Sequence, residues 1–138
     1  MWVIYALFSA FFASLTAIFA KVGVKGVDSD LATAIRTIVI LLLAWGIVFF
    51  KGSEQGMGQL SRNNWLFLVL SGCATGLSWI FYFKALQLGK VSQVAPIDKL
   101  SLALTIILAF IFLKEPLSPK VIAGAALIIA GTIVLISK

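Results

Sequence analysis

A handful of residues in this 138-residue chain could do chemistry, and they sit where charge is costly. Asp98 is the sole acid within any apolar run, followed at once by Lys99, in Val94-Ala95-Pro96-Ile97-Asp98-Lys99-Leu100-Ser101-Leu102-Ala103-Leu104-Thr105. Arg36 interrupts an earlier apolar run. A carboxylate here can carry a proton or hold an ammonium group. A guanidinium offers a planar, two-pronged donor to a carboxylate or phosphate. The run holding Asp98 continues to Leu113 and so reads as a membrane-spanning helix, which needs roughly 20 residues. An aspartate at the centre of such a helix costs about 2.5–3.5 kcal/mol, less near the interface. A chain that carries this cost has a use for the group or a partner for it.

Other chemistries are poorly served. Histidine is absent, which removes the usual metal ligand, general base and pH switch. The single cysteine, Cys73, lies mid-helix, so neither a disulfide framework nor a cysteine metal site is expected. No nucleophile–base pair or metal set is present, so we expect no enzyme, no cofactor and no metal. The net charge of +6 is scattered among links rather than clustered, which argues against nucleic acid as a partner.

The elements that must position these groups follow from composition. The chain is 62% hydrophobic and 12% charged, against roughly half and a quarter in soluble domains. We therefore expect an all-α integral membrane protein, embedded in a lipid bilayer, with one domain over residues 1–138. Five apolar runs, about 2–20, 31–50, 65–83, 94–113 and 121–137, predict five transmembrane helices, since an open sheet would leave backbone groups unpaired in lipid. The first run lacks a basic leader and a clear cleavage site, so it is expected to stay as a helix. Gly26-Val27-Asp28-Ser29-Asp30 offers N-cap residues ahead of the second helix. Lys114-Glu115-Pro116-Leu117-Ser118-Pro119 stops the fourth and restarts the fifth, its prolines suiting a break or a first helical turn. Lys51–Asn64, with its glycines and serines, reads as a mobile loop. An odd number of spans puts the termini on opposite faces.

Residues at i, i+4, i+7 and i+11 share a helical face. That series runs Val94, Asp98, Ser101, Thr105 on the fourth helix and Ser71, Thr75, Ser78, Tyr82 on the third, with Trp79 beside it. The second helix groups Thr33, Arg36 and Thr37, and the first offers Ser9, Ala13, Thr16 and Ala20; the fifth has no comparable stripe. Small and hydroxyl residues also serve close packing and cross-helix hydrogen bonds. Four such stripes, two of them charged, favour a shared polar cavity.

Arg36 and Asp98 each fall about 7–10 Å inside their helix starts, in the same half of the bilayer, so the two could meet. That pair is either part of a binding site or a structural lock. Lys84 is expected to reach the headgroups, while Lys99 is open to either role. With Arg36 and Lys99 set against Asp98, the pocket is net positive and suits an anionic or zwitterionic ligand. Pro96 either sits harmlessly near the helix start or unwinds the backbone beside Asp98, as broken helices do in transporters. Gly124 and Gly131, with Ala123, Ala126 and Ala130, make a smooth face for close approach within the chain or to a second copy.

The third helix, with Gly76-Leu77-Ser78-Trp79 and Tyr82-Phe83-Lys84-Ala85-Leu86-Gln87-Leu88-Gly89, followed by Val94-Ala95-Pro96, resembles the EamA-type repeat of the drug/metabolite transporter superfamily. So does Phe112-Leu113-Lys114-Glu115-Pro116-Leu117 before a glycine-bearing last helix. The resemblance covers essentially the whole chain. It implies one EamA-like five-helix unit that moves small metabolites across a bacterial inner membrane. Most members fuse two such repeats in opposite orientations; this chain has one copy and so needs a partner. The Gly124/Gly131 spacing is similar to the dimerising last helix of the small multidrug resistance transporters. The acid those proteins use in their first helix has no counterpart in Trp2–Ala20, which argues against export of multidrug cations.

The function expected is therefore a secondary transporter for a small-molecule substrate, an amino acid or related anionic or zwitterionic metabolite, working as a dimer by alternating access. The candidate substrate-binding residues are Arg36, Ser71, Thr75, Ser78, Trp79, Tyr82, Asp98, Lys99, Ser101 and Thr105, with Asp98 also a coupling site. Gly124 and Gly131 are the expected dimer interface. The alternative is a non-transporting membrane subunit that stabilises or modulates a larger complex. Orientation follows the Lys/Arg bias of short loops. One face receives Lys51, Arg62, Lys114 and Lys120, the other Lys21, Lys25, Lys90 and Lys138, with Lys84 at the border. So slight a bias allows dual topology, and hence an antiparallel, inverted homodimer; a heterodimer with a paralogue would serve equally.

Overall fold

In the computed structural model, which describes Met1–Ser137, every regular element is a helix. The elements are α1 (Trp2–Gly23), α2 (Ser29–Lys51), a 3-10 segment (Ser53–Gln59), α3 (Arg62–Leu88), α4 (Val91–Asp98), α5 (Leu100–Leu113) and α6 (Pro119–Ile136). Taken as one span across a break, α4 and α5 cover Val91–Leu113, so five helices are long and apolar enough to cross a membrane. The five spans expected from the apolar runs are borne out. Most bounds lie a few residues outside those runs. The 27 residues of α3 amount to about 40 Å at 1.5 Å per residue, longer than the roughly 30 Å of hydrocarbon. Its hydrophilic ends are thereby left for the headgroup regions, and Lys84, near one of them, is exposed.

Local chemistry sets the ends. Asp28 caps α2, its carboxylate accepting the N–H groups of Asp30 and Leu31, each at 3.0 Å. Gly52 closes α2 in the left-handed region, φ 65°, where a side chain would be strained. The link that follows is not the loop expected from its composition, because Ser53–Gln59 winds into 3-10 turns and Arg62 already begins α3. Ser61 Oγ accepts the Asn64 N–H at 3.1 Å and so caps α3. Ser118 caps α6 by accepting the Val121 N–H at 3.3 Å, and Pro119 takes the first helical position, where its missing N–H costs least.

Two compact units emerge: one spans Phe19–Gln87, the other joins Met1–Ile18 to the chain from Leu88 onward. In the first, the end of α1, the start of α2 and the end of α3 bury Val24, Ser29, Phe83 and Leu86. Lys21 Nζ donates to the Leu86 carbonyl, and Gln87 Nε2 donates to the Val27 carbonyl at 2.8 Å. Both bonds satisfy carbonyls that helix ends or turns leave over, and they pin the α1–α2 connection to the end of α3. In the second unit, α6 packs along both α4 and α5, burying Ala103 and Thr132. Elsewhere most of the large apolar side chains are exposed, as in helices whose outer solvent is hydrocarbon rather than water.

Candidate functional site

The Phe19–Gln87 unit presents one intramembrane charge. Arg36 projects from α2 onto α3, where Trp79 and Phe83 stand four residues apart and share a face. The guanidinium carbon lies 4.1 Å from the Phe83 ring centre and 5.6 Å from that of Trp79. Tyr82 meets Phe83 edge-on, ring centres 5.6 Å apart. Stacking on rings is worth about 0.5–2 kcal/mol and fixes the fork in place, but a ring face is a poor substitute for a hydrogen-bond acceptor. The Nη1 atom is buried and makes no hydrogen bond among the described residues. An unmade hydrogen bond on a buried donor costs roughly 1–3 kcal/mol, more when charged. For a charged donor the cost exceeds what the rings return, so they do not discharge the group; an acceptor added at Nη1 would.

Hydroxyls on the same helices are already engaged. Thr37 donates to the Thr33 carbonyl at 2.9 Å, Thr33 to Ser29 at 2.8 Å and Thr75 to Ser71 at 2.9 Å. In the other unit Thr105 donates to Ser101 at 2.8 Å. Each threonine spends its only hydrogen on its own helix, four residues back, and keeps oxygen lone pairs for a donor. Thr75 and Thr105 are exposed, as are Ser71, Ser78 and Ser101, while Trp79 and Tyr82 are half-buried.

The second unit holds the other charges. Asp98 ends α4, Lys99 forms the turn at φ −69°, ψ −10°, and Leu100 begins α5. Lys99 Nζ lies 3.5 Å from Asp98 Oδ2, with both side chains partly exposed. Lys99, open to either role in the sequence, thus turns to its neighbour. Pro96 lies inside the helix that ends at this turn. Because α4 starts at Val91 rather than Val94, Pro96 is in the helix interior, not its first turn. There it removes an N–H and crowds the carbonyl four residues back. Downstream the backbone tightens: the Lys99 N–H is shared between Ala95 O at 3.3 Å and Pro96 O at 3.0 Å, and the Leu102 N–H reaches Lys99 O at 3.0 Å. Neither reading of Pro96 is met in full: it lies beyond the first turn, yet beside Asp98 the backbone tightens over one residue rather than unwinding, and the Pro96 carbonyl is engaged.

Sequence reasoning missed two residues that the geometry brings forward. Phe83 lies closest under Arg36, and its signal was the aromatic four residues after Trp79. Thr132 is a lone hydroxyl in an aliphatic helix; its Oγ1 donates toward Ile128 O at 2.8 Å and Pro96 O at 3.3 Å. On the same helix, a Cβ built at Gly124 or Gly131 meets no atom of the neighbouring α4 or α5. Packing inside that unit therefore does not require those glycines. A cleft of about 570 Å³ beside the α1–α2 connection is lined by Lys21, Lys25 and Gln87 among others, but Lys21 and Gln87 are engaged with carbonyls.

The length and composition of the spans define a multi-pass membrane protein. Its relatives narrow that class: the EamA-like transporter family matches residues 1–137, and the chain belongs to that family. The resemblance of the third-to-fourth-helix pattern to that repeat is borne out. The chain is 49% identical over 134 residues, 97% of its own length and 95% of the relative's, to an uncharacterized transporter in the cobO 3′ region of Sinorhizobium sp.. It is 26% identical over 90 residues to the uncharacterized transporter YojE of Bacillus subtilis (strain 168), a stretch covering 65% of this chain and 30% of that protein. No solved structure matches the chain. Family and relative together make it a transporter in the general sense.

Proposed function

We propose that the chain is a secondary transporter of a small anionic or zwitterionic metabolite, such as an amino acid, working by alternating access as a dimer in a bacterial inner membrane. The observation that carries this reading is Arg36, clamped on Phe83 and Trp79 with Nη1 buried and unpaired. A carboxylate would supply the missing acceptor in a charge-assisted bond, and a bidentate one would engage the planar fork. The threonine oxygens, which retain only acceptor capacity in their present rotamers, suit the donor end of a zwitterion. In the Phe19–Gln87 unit, Ser71, Ser78, Trp79 and Tyr82 serve the solute with Arg36; in the other unit, Asp98 serves an ammonium group or a coupling proton, with Lys99 in the turn that follows and Ser101 on α5. Uptake of a panel of amino acids and organic anions into proteoliposomes, with and without a proton gradient, tests the class. Uptake confined to cations, or none by any of the solutes, rejects it.

A single five-helix repeat reproduces the inverted repeats of larger transporters only with a second, oppositely inserted copy. The near-even Lys/Arg balance permits this for one gene product, and an isologous pair is the commonest homo-oligomer. Gly124 and Gly131 would form the seam, as they are not needed for packing on α4 or α5. A cysteine placed at the C-terminus and labelled in intact cells with an impermeant reagent should react in about half the molecules. Labelling of all or none rejects dual insertion and leaves a paralogue to supply the inverted half.

A further inference from the structure

We propose that Thr132 on α6 is a positioning residue for the Asp98–Lys99 turn, acting through the carbonyl of Pro96. Thr132 is nearly fully buried, and hydroxyls in that position are rarely placed without a bond to make. In an unbroken helix the Pro96 carbonyl would accept the Leu100 N–H. Here it accepts the Lys99 N–H one residue early, and the Thr132 hydroxyl reaches it from α6. The hydroxyl has one hydrogen, shared between Pro96 O at 3.3 Å and its own Ile128 carbonyl at 2.8 Å. Breaks of this kind persist in lipid where a neighbouring helix re-satisfies the displaced backbone. The tie therefore fixes the carbonyl two residues before Asp98 and three before Lys99, and with it the direction in which the turn presents both charges. The consequence for transport rests on the proposed role of Asp98; the tie itself does not.

The test uses the full-length protein in lipid nanodiscs and compares Thr132→Val with Thr132→Ser. Valine keeps the volume and removes the hydroxyl, whereas serine restores the donor. Interhelical hydrogen bonds of this kind correspond to a factor of about three in a local equilibrium. Thr132→Val should thus speed amide exchange at Lys99–Leu102 about threefold, leave α1 and α2 unchanged, and alter the rate at which a hydrophobic carbodiimide modifies Asp98. Thr132→Ser should behave as the wild type in both. Thr132→Ala, which also removes the hydroxyl, should change both readouts in the same sense as Thr132→Val. It serves in place of the valine variant should that one fold poorly. Exchange and modification unchanged by Thr132→Val, or exchange accelerated evenly across the whole chain, overturns the proposal. If both readouts respond while solute uptake keeps its kcat and KM, the positioning role stands and the transport role of Asp98 is overturned instead.

Discussion

Arg36 on α2 and the Asp98–Lys99 turn are both charges set within membrane-length helices, yet their surroundings solve the same problem in opposite ways. At the turn, acid and base are chain neighbours 3.5 Å apart on partly exposed side chains, so the two charges largely cancel on the spot. Among the described residues Arg36 has no such neighbour; it lies over two aromatic rings, and one of its nitrogens is buried without an acceptor. The backbone differs as well. Arg36 projects from an unbroken helix whose start is tied by a cap, whereas the turn joins two helices, α4 and α5. A self-neutralising pair at a helix break suits the coupling role proposed for it. A rigid cation lacking an acceptor is suited to binding. In the proposed transporter, recognition would fall to α2–α3 and coupling to the α4–α5 break.

The sharpest way to break that assignment is to remove the guanidinium. Truncating one partner of a desolvated, hydrogen-bonded charge pair costs about 2–5 kcal/mol. Arg36→Ala should therefore raise the KM for uptake by about 100-fold, and Arg36→Lys, which keeps charge but loses the fork, by about tenfold. Wild-type affinity in the lysine variant would reject the bidentate contact. Asp98→Asn comes next. Gradient-driven accumulation should fall about tenfold while downhill exchange, yield and size-exclusion profile stay close to wild type, because the acid is the group able to release a proton. Full accumulation by the asparagine variant removes the coupling role and leaves Asp98 a structural partner of Lys99. A smaller effect is expected under the arginine. Phe83→Leu keeps an apolar side chain at a buried position but removes the ring, and should raise KM about fivefold with little change in kcat. An equal loss in kcat would place Phe83 in the moving parts rather than in the clamp.

Much of this architecture could be read from the sequence because hydrocarbon imposes a length: five runs near 20 apolar residues allow little else. The bounds were less legible where helix outlasts hydrophobicity. Arg62-Asn63-Asn64 and Lys84 to Leu88 are helical in α3, yet their polar members end the apolar run at Trp65 and Phe83. The same effect hid the break. Val91-Ser92-Gln93 belongs to α4 but looks like link, which made Pro96 seem close to a helix start, where proline is harmless. The short link after α2 seemed loose because glycine and serine are poor helix formers, although local 3-10 turns close it. At the site, Arg36, Asp98 and Lys99 announce themselves by charge. Phe83 and Thr132 do not: a phenylalanine on a membrane helix faces lipid by default, and one hydroxyl makes no stripe. Their roles are set by what faces them from other helices, which a linear pattern does not encode.

Lys99 offers the finest cut between the two regions, because it and Arg36 carry the same charge within membrane-length helices. Its tie to Asp98 joins adjacent residues at 3.5 Å, with side chains 53% and 35% exposed, and exposed pairs of this kind contribute about 0–1 kcal/mol. The flexible lysine stem also gives up rotamer freedom to hold that geometry. Lys99→Gln should therefore leave yield and thermal stability near wild type and change the KM for uptake by about twofold, since its neighbour limits the charge it can offer a solute. The same substitution at Arg36 should approach the loss seen with alanine. Should Lys99→Gln instead raise KM by about 100-fold, the turn takes part in recognition as fully as the clamp, and the division between binding on α2–α3 and coupling on α4–α5 fails. If stability collapses while KM holds, the Asp98–Lys99 pair is what keeps the broken span folded, and Pro96→Ala should then rescue it by restoring the backbone bond that the proline removes.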